Sequence, residues 1–297
     1  MSRGNLIFSH NNRSIDYGKI ALANACLIKK HMKNNHVTLI TDTGTVDWLY
    51  KTFDKDFVDS KIENINVIKR RNTSNTKRYY DTSYSKTLEK FYNINRHEAY
   101  NLSPYNETLL IDADYLIGNN DLDQCWELNY DLQINNESRD IMPSRIDKQF
   151  NKLDDRSIDF YWATAVFFRK TEENKLFFDT IKHVYLNWNY YAMLYDFVVP
   201  NFRNDHAFSI AVHIMNGMKN EKFVKSLPVP FLQHSIGADD LIECTNGNHF
   251  KILIEKPSQR GNYVACKIKD TNIHVLNKFA LNRMAERIIE QNKWITN

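Results

Sequence analysis

The stretch ETLLIDADYLIGNNDLD, residues 107–123, decides how the rest of the chain is interpreted. An apolar run that ends at Ile111 leads directly into two aspartates one residue apart, Asp112 and Asp114. The run predicts a buried strand, so at least one carboxylate should face a crevice rather than open solvent. Two such carboxylates repel each other unless a cation lies between them, and Mg²⁺ or Mn²⁺ suits oxygen ligands. The alternative for an isolated Asp-x-Asp is a pair of turn or helix-capping aspartates.

The composition is that of an ordinary globular protein with a mild positive charge. The 297 residues carry a net charge of +3 and are enough for one large α/β domain or two small ones. Four cysteines without CxxC spacing, and no recognisable signal peptide, favour a cytoplasmic protein without a zinc cluster or disulfides. The longest apolar run, residues 160–168, is too short to cross a bilayer, so no membrane association is expected.

Asparagine is unusually common, at roughly one residue in eight. Such a composition is typical of AT-rich genomes, and it leads us to expect a phage or an AT-rich bacterial source. For a phage-encoded protein, the expected location is the host cytoplasm.

Strands and helices alternate along the first part of the chain. Apolar runs predict strands at NLIF (5–8), HVTLITD (36–42), INVI (65–68) and TLLIDAD (108–114). Helical spacing of apolar residues predicts helices at 17–32, 46–53 and 81–95. This alternation predicts a parallel, doubly wound sheet, which binds ligands beyond the carboxyl ends of its strands. Three segments should converge at that edge: residues 9–12, residues 41–42 and the two aspartates.

The second half is less regular. Strands are predicted at residues 159–170, 250–256 and 262–268, and helices at 171–188, 204–217 and 277–291. Thr171 is the expected N-cap of the first of these helices. No repeat, low-complexity segment or Pro/Gly-rich linker divides the chain, so residues 1–297 are interpreted as one domain.

Residues 69–80, KRRNTSNTKRYY, concentrate five cations around a Ser/Thr/Asn-rich centre. One interpretation is a solvated loop. The other is a mobile loop that contacts phosphates, for which the candidate nucleic-acid-binding residues are Arg70, Arg71, Lys77 and Arg78.

The order of these segments resembles glycosyltransferases of the GT-A fold, in particular the glycogenin-like members of glycosyltransferase family 8. The similar segments are SIDYGKIALANACLIKKH (14–31), YSKTLEKFY (84–92), LLIDADYLIGNNDLDQCW (109–126), NDHAFSIAV (204–212) and TNIHVLNK (271–278). The resemblance implies an α/β fold with a mixed, mainly parallel sheet flanked by helices. It also implies that residues 1–118 bind the nucleotide sugar, and that residues 119–297 bind the acceptor and supply a C-terminal segment that closes over the donor.

The resemblance further implies roles for single residues. Asp112, Asp114 and His274 would hold Mn²⁺ or Mg²⁺, and Asp205 and His206 would be catalytic. The donor-binding residues would be Ser9, Asn11, Tyr17, Asp42, Lys86 and Lys278, with Tyr17 stacked on the base and Lys86 reaching the donor from a helix. The chain departs from the family at residues 163–165, Ala-Thr-Ala, where Asn-Ser-Gly is usual, and at the segment after His274. From the residues alone, Tyr17 and His274 are also compatible with core packing, Lys86 with a solvated lysine and Asp205 with a helix cap.

The resulting hypothesis is a metal-dependent glycosyltransferase that uses a nucleoside-diphosphate sugar, with UDP the expected nucleotide. The basic segment and the phage-like composition favour a hydroxymethylated base of DNA as the acceptor. The alternatives are a polysaccharide or protein acceptor, a haloacid-dehalogenase-like phosphatase, and a non-catalytic nucleic-acid-binding protein. SIGADD (235–240) resembles the second acidic pair of such phosphatases, but their first aspartate pair normally lies near the N-terminus.

Overall fold

A six-stranded sheet forms the centre of the fold in the computed structural model, which describes residues 2–70, 73–145, 152–153, 158–197, 201–217, 223–229 and 231–293. The strands in these ranges are β1 (Arg3–Phe8), β2 (Val37–Thr41), β3 (Asn64–Val67), β4 (Thr76–Tyr80), β5 (Lys86–Lys90), β6 (Glu107–Asp112), β7 (Tyr115–Leu116), β8 (Leu132–Ile134), β9 (Ser138–Asp140), β10 (Ala165–Arg169), β11 (Leu232–His234), β12 (Asp240–Thr245), β13 (His249–Glu255), β14 (Tyr263–Lys269) and β15 (Ile273–His274). The helices are α1 (Tyr17–His31), α2 (Thr43–Thr52), α3 (Lys55–Lys61), α4 (Ala99–Leu102), α5 (Glu172–Leu186), α6 (Trp188–Leu194), α7 (Asn204–Met215) and α8 (Lys278–Gln291). Short 3₁₀ turns cover Arg96–Glu98 and Asp121–Trp126.

The central sheet has the strand order β3-β2-β1-β6-β10-β8. Strands β3, β2, β1 and β6 pair in parallel, whereas β10 runs antiparallel to both β6 and β8. Strands β1, β2 and β6 are almost entirely buried, as their continuous apolar runs predict for strands covered on both faces. The expected α/β architecture, with a mixed, mainly parallel sheet and flanking helices, is confirmed.

A second sheet, in the order β7-β15-β11-β9, brings the C-terminal half of the chain to the end of β6. Its strands are two or three residues long and gave no clear signal in the sequence. A separate antiparallel sheet of β12, β13 and β14 contains both strands predicted for residues 250–268, and α8 packs against β12 and α1.

The helix predicted at residues 81–95 is wrong. Residues 86–90 form β5, which pairs antiparallel with β4 in a hairpin closed by the polar turn DTSYS. Exposure alternates along β5, so Lys86, Leu88 and Lys90 point away from the protein while the two residues between them are half-buried. A period of two therefore prevails over the helical spacing, because residues 86–90 pair with residues 76–80 across the turn.

The loop interpretation of residues 69–80 is corrected by the same hairpin, since residues 76–80 are a strand. Arg71 lies outside the described residues. The strand predicted at residues 159–170 is shorter than expected, because regular pairing is limited to Ala165–Arg169. The helices that follow agree with prediction: the Thr171 hydroxyl caps α5, and Gly217, at φ 59°, follows α7.

None of the described helices is both long and apolar enough to cross a membrane.

Candidate metal and donor site

The carboxyl ends of β1, β2 and β6 lie side by side, because β1 pairs in parallel with both neighbours. Phe8 is opposite Asp112 across the β1–β6 pair, so Ser9 follows directly beside the aspartate motif. Asp42 follows β2 at the same edge. The three segments that are predicted from the sequence to meet at this edge are thus neighbours in the fold.

Asp112, Asp114 and His274 form a cluster in which one potential ligand atom from each residue lies within 4.8 Å of the others. Asp112 ends β6, and Asp114 lies in the turn that leads to β7. His274 reaches the turn because β15 pairs antiparallel with β7, with His274 opposite Tyr115. The Val275 amide also donates to the Asp114 carbonyl at 3.0 Å. A residue far along the chain is therefore fixed beside the aspartates by backbone pairing.

The Asp114 carboxylate contacts a different cationic or polar group with each oxygen. Its Oδ1 lies 3.3 Å from Nε2 of His274, and its Oδ2 lies 2.5 Å from Nζ of Lys278. Burial alone would raise the pKa of Asp114, but Lys278 and His274 outweigh burial and hold this pKa well below its usual range. Asp114 is accordingly ionised at neutral pH.

Burial lowers the pKa of His274 to about 4, with the attraction of Asp114 only partly opposing the shift. The imidazole is therefore neutral at pH 7, as a metal-binding histidine must be. Its other nitrogen, Nδ1, lies 3.4 Å from the hydroxyl of Thr164. Such a contact fixes the ring orientation and leaves Nε2 facing the carboxylates.

Asp112 is in a different electrostatic environment. Burial raises the pKa of its carboxyl to about 7, Arg96 opposes the shift, and the negative charges of Asp114 and Asp205 add to it. The guanidinium of the buried Arg96 donates to Asp112 Oδ1 at 2.5 Å. Arg96 was not singled out from the sequence, because an arginine in an irregular segment gives no local signal of its partner.

The cluster fits a divalent metal ion. Two carboxylates and one neutral imidazole form a donor set compatible with Mn²⁺ or Mg²⁺, and their spread of 4.8 Å allows all three to reach one ion.

Asp205 lies close enough to Asp112 to raise its pKa, whereas His206 belongs to an aromatic cluster. Asp205 Oδ1 accepts a hydrogen bond from the Ala163 amide at 3.0 Å, and Oδ2 lies 3.3 Å from Arg203. The His206 ring lies 4.4 Å from that of Phe197, and it also contacts Phe160 and Trp188. Burial lowers the pKa of His206 to about 3. The structure thus places the two predicted catalytic residues in different surroundings.

Lys77 lies near the cluster, whereas the sequence predicts that it binds phosphate from a mobile loop. Burial lowers its pKa to about 8, the Lys278 ammonium also lowers it, and Asp114 partly opposes both. Its Nζ also lies 5.0 Å from the centre of the Phe91 ring. The alternation of β4 explains the placement, since Lys77 and Tyr79 share one face and Arg78 is exposed on the other.

Tyr17 lies beneath the same edge, and its hydroxyl donates to that of Tyr79 at 3.2 Å. Burial raises the pKa of both tyrosines, and the charge of Asp114 contributes to each shift. The ring of Tyr17 is part of the hydrophobic core, with 3% of its surface exposed. Lys86, by contrast, is exposed on β5 rather than reaching the donor from a helix.

The Asp42 carboxylate, just after β2, contacts three neighbouring segments of the chain. It accepts from the Thr45 amide at the start of α2, contacts Nδ1 of His10 at 3.0 Å and pairs with Arg70 at 2.8 Å. Burial opposes ionisation, but the hydrogen bonds from His10 and Arg70 keep the pKa of Asp42 well below its usual range. Arg70 is therefore engaged within the protein, and its guanidinium also lies 4.6 Å from the Tyr92 ring.

Ser9 and Asn11 also lie at this edge. The Asn11 side chain accepts from the Gly18 amide at 2.7 Å in the first turn of α1. Ser9 is fully buried, and its carbonyl accepts from the hydroxyl of Thr41 at 2.5 Å. Both residues thus shape the backbone around the end of β1.

No protein-family model and no curated protein matches the chain. Among solved structures, the apo form of the glycosyltransferase GlyE of Streptococcus pneumoniae TIGR4 has 11% identity and a TM-score of 0.40; the match covers 76% of this chain but only 45% of GlyE. Mouse xyloside xylosyltransferase 1 has 10% identity and a TM-score of 0.42; the match covers 76% of this chain and 85% of the mouse protein. The 4-diphosphocytidyl-2C-methyl-D-erythritol synthase of Anaerococcus prevotii DSM 20548 has 14% identity and a TM-score of 0.37; the match covers 75% of this chain and 87% of the synthase. Similarity of this size assigns no activity to the chain.

Proposed function

We propose that the chain is a metal-dependent glycosyltransferase that moves a sugar from a nucleoside-diphosphate sugar, with UDP as the nucleotide, to an acceptor hydroxyl. The observation that carries the proposal is the cluster of Asp112, Asp114 and His274 at the carboxyl edge of a parallel sheet. The buried Lys278 lies on the cluster and the partly buried Lys77 lies near it, so one site combines ligands for a divalent cation with positive charge for a diphosphate.

The three residues of the cluster would hold Mn²⁺ or Mg²⁺. When bound, such an ion neutralises negative charge that develops on a leaving diphosphate. Arg96 positions the Asp112 carboxylate, and Thr164 orients the imidazole of His274. These supporting contacts would keep the ligands in place before the ion arrives.

The donor is proposed to lie across residues 1–118. The ammonium groups of Lys77 and Lys278 are the candidates for contact with its phosphates, because both lie beside the aspartates. The nucleoside would lie against the backbone at the edge that Ser9, Asn11 and Asp42 shape. Lys86 has no part in this proposal, since it is exposed on β5.

The acceptor is proposed to lie across residues 119–297, beside Asp205. Contacts with the Ala163 amide and Arg203 fix the Asp205 carboxylate, and its charge acts on Asp112. A fixed carboxylate beside the metal cluster can accept a hydrogen bond from an acceptor hydroxyl and orient it for transfer.

For the acceptor itself we propose a hydroxymethylated base of DNA. Its support is the exposed cation of Arg78 and a cleft of about 790 Å³ beside the end of β3, which is lined by Lys69 and Lys182 among others and would take phosphates that flank the base held beside Asp205. A polyanion fits such a surface. A polysaccharide or protein acceptor is the alternative, and the choice of acceptor leaves the proposed donor chemistry unchanged.

The test is a screen of nucleotide sugars for hydrolysis and transfer with Mn²⁺ and with a chelator, in the wild type and in Asp112→Asn. Metal-dependent release of a nucleoside diphosphate, lost in Asp112→Asn but retained in a control variant with a surface change, Asp59→Asn, is expected. Phosphate release from a simple phosphomonoester would instead favour the phosphatase alternative. Binding of DNA without any turnover would favour the non-catalytic alternative.

A further inference from the structure

The ammonium group of Lys278 is fully buried and lies directly on the aspartate cluster. Its Nζ is 2.5 Å from Asp114 Oδ2, and it also donates to the carbonyl of Val275. Asp114 is itself 6% exposed, so the two charges meet in a site that water hardly reaches. Such a pair depends on mutual compensation, because either charge alone would be costly to bury.

The position of Lys278 is fixed by its place in the fold. It is the first residue of α8, whose N-cap Asn277 accepts from the Ala280 amide at 2.9 Å. The side-chain amide of Asn277 also donates to the carbonyl of Asp81 at 2.9 Å, at the turn of the β4–β5 hairpin. The start of the helix is thus held from both sides, and the ammonium is held at Asp114.

A divalent cation bound by the cluster would lie close to the Lys278 ammonium. Asp114 is a ligand of the proposed ion and the partner of Lys278, so the two cations share one carboxylate. Like charges in a buried site disfavour each other, and Arg96 and Lys77 already add positive charge nearby. The anionic phosphates of a nucleotide would relieve that repulsion.

We infer, on the basis of the proposed function, that the Lys278 ammonium competes with the divalent ion for the carboxylate of Asp114. The ion alone therefore binds weakly, and a diphosphate binds together with it by drawing the Lys278 ammonium away from Asp114. Lys278 then sets the affinity for the metal as well as contacting the donor.

The experiment is a calorimetric titration of Mn²⁺ alone, without nucleotide, into the wild type and Lys278→Met. Removal of the ammonium should tighten Mn²⁺ binding by about tenfold or more, a change within the usual range of coupling between two bound groups. Lys278→Gln provides a second variant, since its amide can donate to Asp114 without a charge. Lys29→Met is the matched control, because Lys29 is also buried in an ion pair, with Glu63, and its loss should not change Mn²⁺ affinity.

Equal or weaker Mn²⁺ binding in Lys278→Met and Lys278→Gln, in proteins with a cooperative thermal transition, would overturn the inference. That result would leave the proposed function intact, provided that Asp112→Asn still abolishes Mn²⁺ binding. Absence of Mn²⁺ binding in the wild type and in both Lys278 variants would overturn the inference and the metal-dependent function together.

Discussion

Nε2 of His274 lies 3.3 Å from Oδ1 of Asp114, although the two residues come from opposite halves of the chain. The contact depends on two residues of antiparallel pairing between β15 and β7. Any ion held by this pair therefore connects the strand ends of the N-terminal half to the segment that begins α8. Metal binding and the order of the C-terminal segment are expected to be linked for that reason.

The first prediction concerns the buried pair of Asp114 and Lys278. Asp114→Ala removes the counter-charge of a fully buried ammonium and should lower the free energy of unfolding by about 3–5 kcal/mol. The double variant Asp114→Ala/Lys278→Met should recover most of that loss, because no charge is then left uncompensated. Urea denaturation of the wild type and the two variants measures both effects. A single variant as stable as the wild type would contradict the pairing.

The second prediction separates two neighbouring cations of β4. Lys77 faces the aspartates and Arg78 is exposed, so Lys77→Ala should raise the KM for the donor while Arg78→Ala should not. Arg78→Ala should instead flatten the salt dependence of a DNA acceptor, by roughly 0.9 in the log–log slope for each phosphate that the variant no longer neutralises. Steady-state kinetics at several salt concentrations check both. Equal changes of the donor KM in Lys77→Ala and Arg78→Ala would contradict the proposal that only Lys77 contacts the donor.

The third prediction concerns His206, whose ring packs among Phe197, Phe160 and Trp188. Its pKa is about 3 in the folded protein against 6.5 ordinarily, so the unfolded chain binds more protons between these values. The stability that this neutral histidine contributes is therefore complete above about pH 6.5 and is lost as the pH falls toward 3. His206→Phe should make the thermal midpoint less dependent on pH in that window and should retain transfer activity. An inactive His206→Phe that melts normally would show a catalytic role instead.

Local pattern was sufficient to predict the central strands and the aspartate motif. Continuous apolar runs identify β1, β2 and β6, and the position of Asp112 at a strand end follows from the third of these. The hydroxyl of Thr171, just before a helical pattern, likewise predicts that this residue caps the start of α5. These features depend on neighbouring residues alone.

What the sequence did not reveal depends on contacts between separate segments of the chain. The residues around Lys86 fit both a helical and a strand period, and only their pairing with β4 decides between them. The role of Arg96 beside the aspartates is apparent only from its hydrogen bond to Asp112 in the structure. His274 was identified through the family resemblance rather than from its own surroundings, because β15 is only two residues long.

The most direct test of the central claim is a calorimetric titration of UDP with Mn²⁺ and, separately, with a chelator. The wild type should bind UDP with Mn²⁺ and lose most of its affinity in the chelator, since the ion that would neutralise the diphosphate beside the carboxylates is then removed. His274→Ala should weaken metal-dependent binding by about tenfold or more, as expected for the loss of one of three protein ligands. UDP binding of equal strength with and without metal, or unchanged in His274→Ala, would contradict the account.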